Sequence, residues 1–252
     1  MSLDIERVKA SLPDRLIDWY PSIGSTMTEA SRLAASGCAS GTVVVADEQT
    51  AGLGRYGRIW HSEAGSGLYV SIVLRYAFSP DSLTVATLAL GLATAEAILK
   101  TTDLACDLRW PNDVLIQSRK CAGILTQLDG SAIIAGIGIN VNHSAFPQEL
   151  SAIATSLRIG SGRTHSRERL LVELINSVES FCSLLEKEGR APILAMFARA
   201  SSFVHGRKVS VDQGGVMLRG TTAGLTESGF LILQSDDGKP NVIIAGGVRP
   251  CS

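Results

Sequence analysis

The hydrophobic pattern of this 252-residue chain changes period twice. The first half carries short apolar runs broken by glycine and polar turns. Residues 17–20, 41–46 and 67–75 read as strands, being rich in β-branched and aromatic side chains. Residues 107–117 read as two strand-like runs interrupted by proline, with a turn at Pro111, Asn112 and Asp113. A second turn at Ser118, Arg119 and Lys120 leads into a strand over 121–128. Asp129-Gly130 then signals a hairpin. Residues 132–142 follow as an apolar strand holding Gly136 and Gly138, where something approaches the backbone closely. Helices are expected over 3–12, ended by Pro13, and from Thr26 to about Gly37, where Thr26 and Glu29 have capping-box spacing. Ser82 caps an apolar helix running to about Lys100.

The second half begins with a long amphipathic helix over 166–188. Leu170, Leu171, Leu174, Ile175, Val178, Phe181, Cys182 and Leu185 recur on it at helical spacing. Pro192 opens a short helix to about Ala200. From Gly206 the period becomes two, punctuated by Gly214-Gly215, Ser228-Gly229 and Asp237-Gly238. The pattern predicts an α+β domain over 1–203, a mixed and mainly antiparallel sheet with helices on one face. A small C-terminal SH3-like β-barrel follows over 204–252.

A hydrophobic content of 45% is enough for one good core plus a small second unit. The net charge of −1 gives no support for a nucleic-acid or membrane-surface role. Five scattered cysteines without CxxC pairs fit a reducing cytoplasm and neither a disulfide scaffold nor a zinc site. The four histidines are far apart in sequence and form no evident metal cluster. No signal peptide is seen. The longest apolar run, 83–99, contains Thr84, Thr87, Thr94 and Glu96 and reads as a buried helix rather than a membrane span.

The stretch with the most chemistry is 49–60. Gly52, Gly54 and Gly57 are interleaved with Arg55 and Arg58, and Trp60 closes the segment. Dense glycine lets the backbone approach a ligand, and forked arginine donors suit phosphate or carboxylate. The stretch reads as a mobile loop that wraps an anion, with a solvated Gly/Arg connection as the alternative. The spacing Gly52-x-Gly54-x-x-Gly57 also matches a dinucleotide fingerprint and would suit a nicotinamide-dependent oxidoreductase. That fingerprint needs a helix starting at its third glycine. The residues after Gly57 have further glycines and no helical period, so this alternative is disfavoured. Ser25 and Thr26 are first of all helix caps, but hydroxyls at a helix N-terminus also face ligands.

Taken in order, several motifs form a set. They are Ser25-Thr26, Gln49 with the Gly/Arg loop to Trp60, the run from Arg109 to Asp113, Lys120-x-x-Gly123, and Gly136 to Asn142. This set resembles the biotin–protein ligases, closely over residues 22–142 and more loosely beyond. Lipoate ligases share the catalytic lysine and fold but lack the Gly/Arg loop in this form. The resemblance implies a class II synthetase-like catalytic fold and ATP-dependent attachment of biotin to a lysine of a biotin carboxyl carrier protein. It also implies a route through a held biotinoyl-adenylate.

The resemblance also implies roles for single residues. Lys120 would bridge the carboxylate and α-phosphate, while Arg55 and Arg58 bind the phosphates and hold the adenylate. Asn112 and Asp113 would lie at the nucleotide, with Asp113 also a candidate Mg²⁺ ligand. Asn140 suits the adenine edge. Ser25, Thr26 and Gln49 would pair with the ureido head of biotin. Gly52, Leu53, Gly54, Trp60 and Gly123 would shape the rest of that pocket. The chain departs from the pattern at Leu53 and Tyr56, where arginine is common, at Arg109 for lysine, and at Gly247 for an acidic residue. Leu53 shifts the burden of retaining the intermediate onto Arg55. Only about two dozen residues precede Ser25, so a stand-alone ligase that binds neither DNA nor membrane is expected. A homodimer is one option for its assembly.

Overall fold

The computed structural model describes residues 2–76, 82–213, 215–235 and 238–251. Gly214 and Asp237, both expected in turns, lie outside them. In chain order the first elements are α1 (Ile5–Ser11), β1 (Ile17–Tyr20), α2 (Thr26–Ala35), β2 (Val43–Ala46) and β3 (Gly67–Leu74). Next come α3 (Leu83–Thr102), β4 (Asp107–Arg109), β5 (Asp113–Ile116), β6 (Arg119–Asp129) and β7 (Ala132–Asn140). Short α4 (Gln148–Ser151) and α5 (Leu157–Ser161) precede α6 (Arg167–Glu188) and α7 (Arg190–Ala200). The chain finishes with β8 (His205–Gln213), β9 (Val216–Leu225), β10 (Leu231–Gln234), β11 (Pro240–Ile243) and β12 (Val248–Pro250).

The first seven strands form one sheet in the order β1-β2-β3-β7-β6-β5-β4. β1 and β2 pair in parallel and the other neighbours antiparallel. The long helices α3 and α6, with α1 and α7, cover one face, as the sequence predicts. Ile133, Ala135, Ile137 and Ile139 of β7 point into that layer, alongside Val43 and Val45 of β2. α3 is apolar and long enough to cross a membrane by composition. Here it is the core helix, with Leu88, Ala89, Leu90 and Ala93 fully buried. α2 adds something the sequence reading did not place. It lies on the opposite face, where Met27, Ala30 and Ala34 meet Val44, Val73, Ala132 and Ile134.

The last five strands form a second antiparallel sheet in the order β11-β10-β9-β8-β12. It does not hang free. Trp110 Nε1 donates to Gly229 O at 2.9 Å. Val209, Val211, Leu231, Leu233, Ile243 and Val248 join the same core as α3 and α6.

Two local expectations are corrected. Ser25 is the residue at the N-cap of α2 and Thr26 is already helical. The Thr26–Glu29 capping box does not form, because Glu29 is drawn to Arg32 and to the Tyr20 hydroxyl. The turn expected over 118–120 sits one residue earlier. Gln117 and Ser118 take the left-handed conformation, so Lys120 belongs to strand β6.

Candidate functional site

The site follows from the way β7 tapers on its α2 face. That face reads Ala132, Ile134, Gly136, Gly138, so its side chains vanish where α2 runs out. Gly138 is paired with Gly123 across to β6. The hollow over this glycine pair is filled by the Trp60 ring. A Cβ on Gly138 would come within 2.6 Å of the indole, and one on Gly123 within 2.9 Å. One pair along, a Cβ on Gly136 would meet Met27 Sδ at 2.4 Å. Glycine is required at these positions for space, not for φ.

Between this floor, α2 and the Gly/Arg loop lies a cavity that opens to solvent. Its wall includes Thr26, Gln49, Leu53, Gly54, Arg55, Trp60, Asn112, Lys120 and Gly123 of the residues expected from sequence. Its two ends differ in chemistry. At one end a neutral relay is closed by short bonds. Ser71 Oγ donates to Thr26 Oγ1 at 2.8 Å, and Thr26 N–H and Oγ1 donate to Gln49 Oε1 at 2.9 and 3.0 Å. Gln49 Nε2 donates to Ser62 Oγ at 3.1 Å. Among the described residues, the buried Ser25 Oγ and Trp60 Nε1 lack hydrogen-bond partners. Buried donors of this kind are rare in the absence of a ligand or water to meet them.

The other end is cationic. Lys120 Nζ lies 2.5 Å from Asp113 Oδ1 and 5.1 Å from the Trp60 ring centroid. Arg109 donates to Asp113 Oδ2 through Nη2 at 2.7 Å and Nε at 3.2 Å. Burial alone would raise the Asp113 carboxyl, but Lys120 and Arg109 outweigh it and hold it below its ordinary value. Arg55 is held differently, by neutral groups from three segments. Its Nη1 donates to Asn112 Oδ1 at 3.0 Å and to Gly246 O at 3.2 Å, and its Nη2 donates to Tyr56 Oη at 2.8 Å. Tyr56 Oη also accepts from Gly246 N–H at 2.7 Å, so the second sheet's last turn touches the loop directly.

Five expected residues are not in the wall. Ser25 and Gly52 are buried beside it. A Cβ on Gly52 would strike Trp60 O at 2.7 Å, so this glycine seats the tryptophan backbone. Arg58 is exposed on the loop's outer side. Asn140 is buried, with Nδ2 donating to Thr155 O at 3.1 Å. Asp113 is the correction that matters. Both of its oxygens are engaged by cations, so a dication there would face two positive neighbours. The donor set does not fit a resident Mg²⁺. Gly57 starts no helix. Residues Arg55–Gly57 form one 3₁₀ turn with Tyr56 at φ 59°, which removes the helix N-terminus the dinucleotide reading needs. Sequence reasoning missed Ser62, Ser71 and Met27. Ser71, polar on an otherwise apolar buried strand, was the available signal.

Residues 19–144 match a family described as the biotin/lipoate A/B protein ligase family. The bifunctional ligase/repressor BirA of Bacillus spizizenii is 34% identical over 227 residues, which are 86% of this chain and 68% of that protein. A biotin--[acetyl-CoA-carboxylase] ligase of Mycobacterium tuberculosis is 31% identical over 239 residues, 92% of this chain and 88% of that one. Among solved structures, the biotin protein ligase from Aquifex aeolicus in complex with biotin and ATP matches with a TM-score of 0.84 at 29% identity. That match covers 94% of this chain and 99% of the Aquifex chain.

Proposed function

The chain belongs to the biotin/lipoate A/B protein ligase family, and from that premise we propose that it is a biotin–protein ligase. One observation carries the reading. A single cavity joins a neutral hydrogen-bonding end, an apolar wall and a cationic end, in that order. Biotin has the matching sequence of parts, a polar ureido ring, an aliphatic chain and a carboxylate. ATP would meet that carboxylate at the cations.

A carboxylate and an amine do not condense at neutral pH without activation. In this reading a biotin carboxylate oxygen attacks the α-phosphorus of ATP and pyrophosphate leaves, giving a mixed anhydride. The ε-amine of a carrier lysine then attacks the acyl carbon. The amide bond forms, the acyl–oxygen bond breaks and AMP departs. The first step brings two anions together, and the second develops negative charge on the acyl oxygen and the departing AMP, so fixed cations at the junction lower both barriers. Lys120 is suited to bridge carboxylate and α-phosphate, leaving Asp113 compensated by Arg109 when it moves. Arg55 carries no carboxylate partner among the described residues, which leaves its full charge available to the adenylate. Thr26, Gln49 and the unpartnered Ser25 hydroxyl would take the ureido head, and Trp60 with Gly123 the chain. Arg58 and Asn140, outside the wall, would act only from the rim of the nucleotide. Magnesium would come with the triphosphate and not from a site of this chain.

The carrier would be a biotin carboxyl carrier protein of acetyl-CoA carboxylase or a related carboxylase. Five cysteines without a disulfide support a cytoplasmic setting. The test is transfer of labelled biotin to the lysine of a purified carrier domain, with ATP and Mg²⁺. Stoichiometric, ATP-dependent labelling is expected. Labelling by lipoate and not by biotin would assign the chain to the other branch of the family.

A further inference from the structure

A second cluster lies just past the cavity, where the loop leaves Trp60. The donor atoms of His61, Glu63 and His143 all lie within 4.8 Å of one another. His143 Nε2 is 3.8 Å from Glu63 Oε2. His143 is fully buried at 0% exposure, and both of its ring nitrogens lack a hydrogen-bond partner among the described residues. Its ring stacks on Phe146 at 5.1 Å and faces the His61 ring at 6.1 Å. A buried imidazole with neither nitrogen met is costly and asks for a partner.

The backbone around this cluster is already fixed. Tyr69 Oη donates to Glu63 O at 3.0 Å, Asn142 N–H to Ser66 O at 2.6 Å, and Ser156 Oγ to His143 O at 2.7 Å. The two ligand-bearing segments are therefore held face to face by bonds that do not involve the donor atoms.

We propose that His61, Glu63 and His143 form a binding site for a divalent transition metal, zinc by its donor set. Two imidazole nitrogens and one carboxylate oxygen are ligands that zinc prefers, whereas magnesium and calcium favour all-oxygen sets. Ligand atoms of one tetrahedral zinc sit about 3.4 Å apart. Glu63 is exposed and His61 partly so, so small rotations of these two close the set onto the rigid His143. The fourth position stays open to water. A bound ion ties the segment after Trp60 to the segment after β7. It thereby pins the exit of the loop whose Ser62 holds Gln49. The site is separate from Lys120 and Asp113 and does not depend on the proposed reaction.

The experiment uses the full chain, stripped with a chelator and titrated with zinc alone against a chromophoric competitor. One zinc per chain is expected, and cobalt in its place should give the visible absorption of a tetrahedral site. His61→Ala and Glu63→Gln, both outside the core, should keep the far-ultraviolet circular dichroism of the parent and weaken zinc binding by roughly tenfold or more. His143→Gln should weaken it further. Equal zinc binding by the parent and the His61→Ala/Glu63→Gln double variant overturns the site, as does binding of magnesium as tight as zinc.

Discussion

The two faces of the seven-stranded sheet obey opposite rules. On the α3/α6 face, β7 sends Ile133, Ile137 and Ile139 into a continuous helical layer, and little space is left. On the α2 face the same strand ends in Gly136 and Gly138, and a loop tryptophan takes the place of a helix. The first face holds the fold and the second has had its own side chains withdrawn to admit a ligand. Stability and chemistry should therefore separate by face.

Leu90→Ala, on the helical face, should cost about 2–5 kcal/mol in urea unfolding. The remaining folded enzyme should turn over at the parental rate. Loss of turnover without loss of stability would break the contrast. Lys120→Ala, on the open face, should slow pyrophosphate release by roughly a hundred- to a thousandfold. Its unfolding midpoint should fall less than that of Leu90→Ala, since Asp113 keeps both Arg109 bonds.

Arg55→Gly should leave adenylate formation partly intact and let the intermediate escape. One charge-assisted bond contributes about 1.5–3 kcal/mol, so release should quicken by roughly ten- to a hundredfold. Labelling of added albumin lysines by the variant, compared with parent at equal adenylate formation, measures this. Equal albumin labelling would take retention away from Arg55. Gly138→Ala sharpens the contrast further. Its methyl group displaces Trp60, so the apparent KM for biotin should rise roughly tenfold, a loss of about 1.4 kcal/mol, with little change at saturating biotin. An unchanged KM would mean the indole is not part of the ligand wall.

The smallest effect concerns pH. Asp113 has a folded value held below its ordinary 3.8, so it binds fewer protons folded than unfolded. Its contribution is fully present above that ordinary value and is lost as pH falls through the folded one. The stability difference between parent and Asp113→Asn should shrink on acidification below about pH 4, by on the order of 1 kcal/mol. A difference that stays constant over that range would mean the cations do not hold the carboxylate ionised.

Much of this was legible locally. The runs at 43–46, 67–74 and 132–140 announce buried strands, and the period of 167–188 announces its helix, because each rests on neighbours in sequence. The Gly/Arg loop was legible for the same reason. What was not legible depends on competition between nearby groups or on partners far along the chain. Glu29 looks like a cap until Arg32 and Tyr20 compete for it. Asp113 looks like a metal ligand until Arg109 and Lys120 arrive from either side. Arg55 gives no sign that Gly246, 191 residues away, will accept its hydrogen bond. His61 and His143 sit 82 positions apart, and only the sheet brings them together.

The packing of Trp60 on Gly123 and Gly138 also bears on how such a chain changes over generations. A side chain at either glycine has no room while the indole is seated, and loss of the indole leaves a hole that the glycines cannot fill. The three positions are therefore bound to one another as a unit of inheritance. Substitutions at 123 and 138 should become acceptable only in descendants whose residue 60 has already shrunk, and a biotin-binding descendant that keeps Trp60 should keep both glycines.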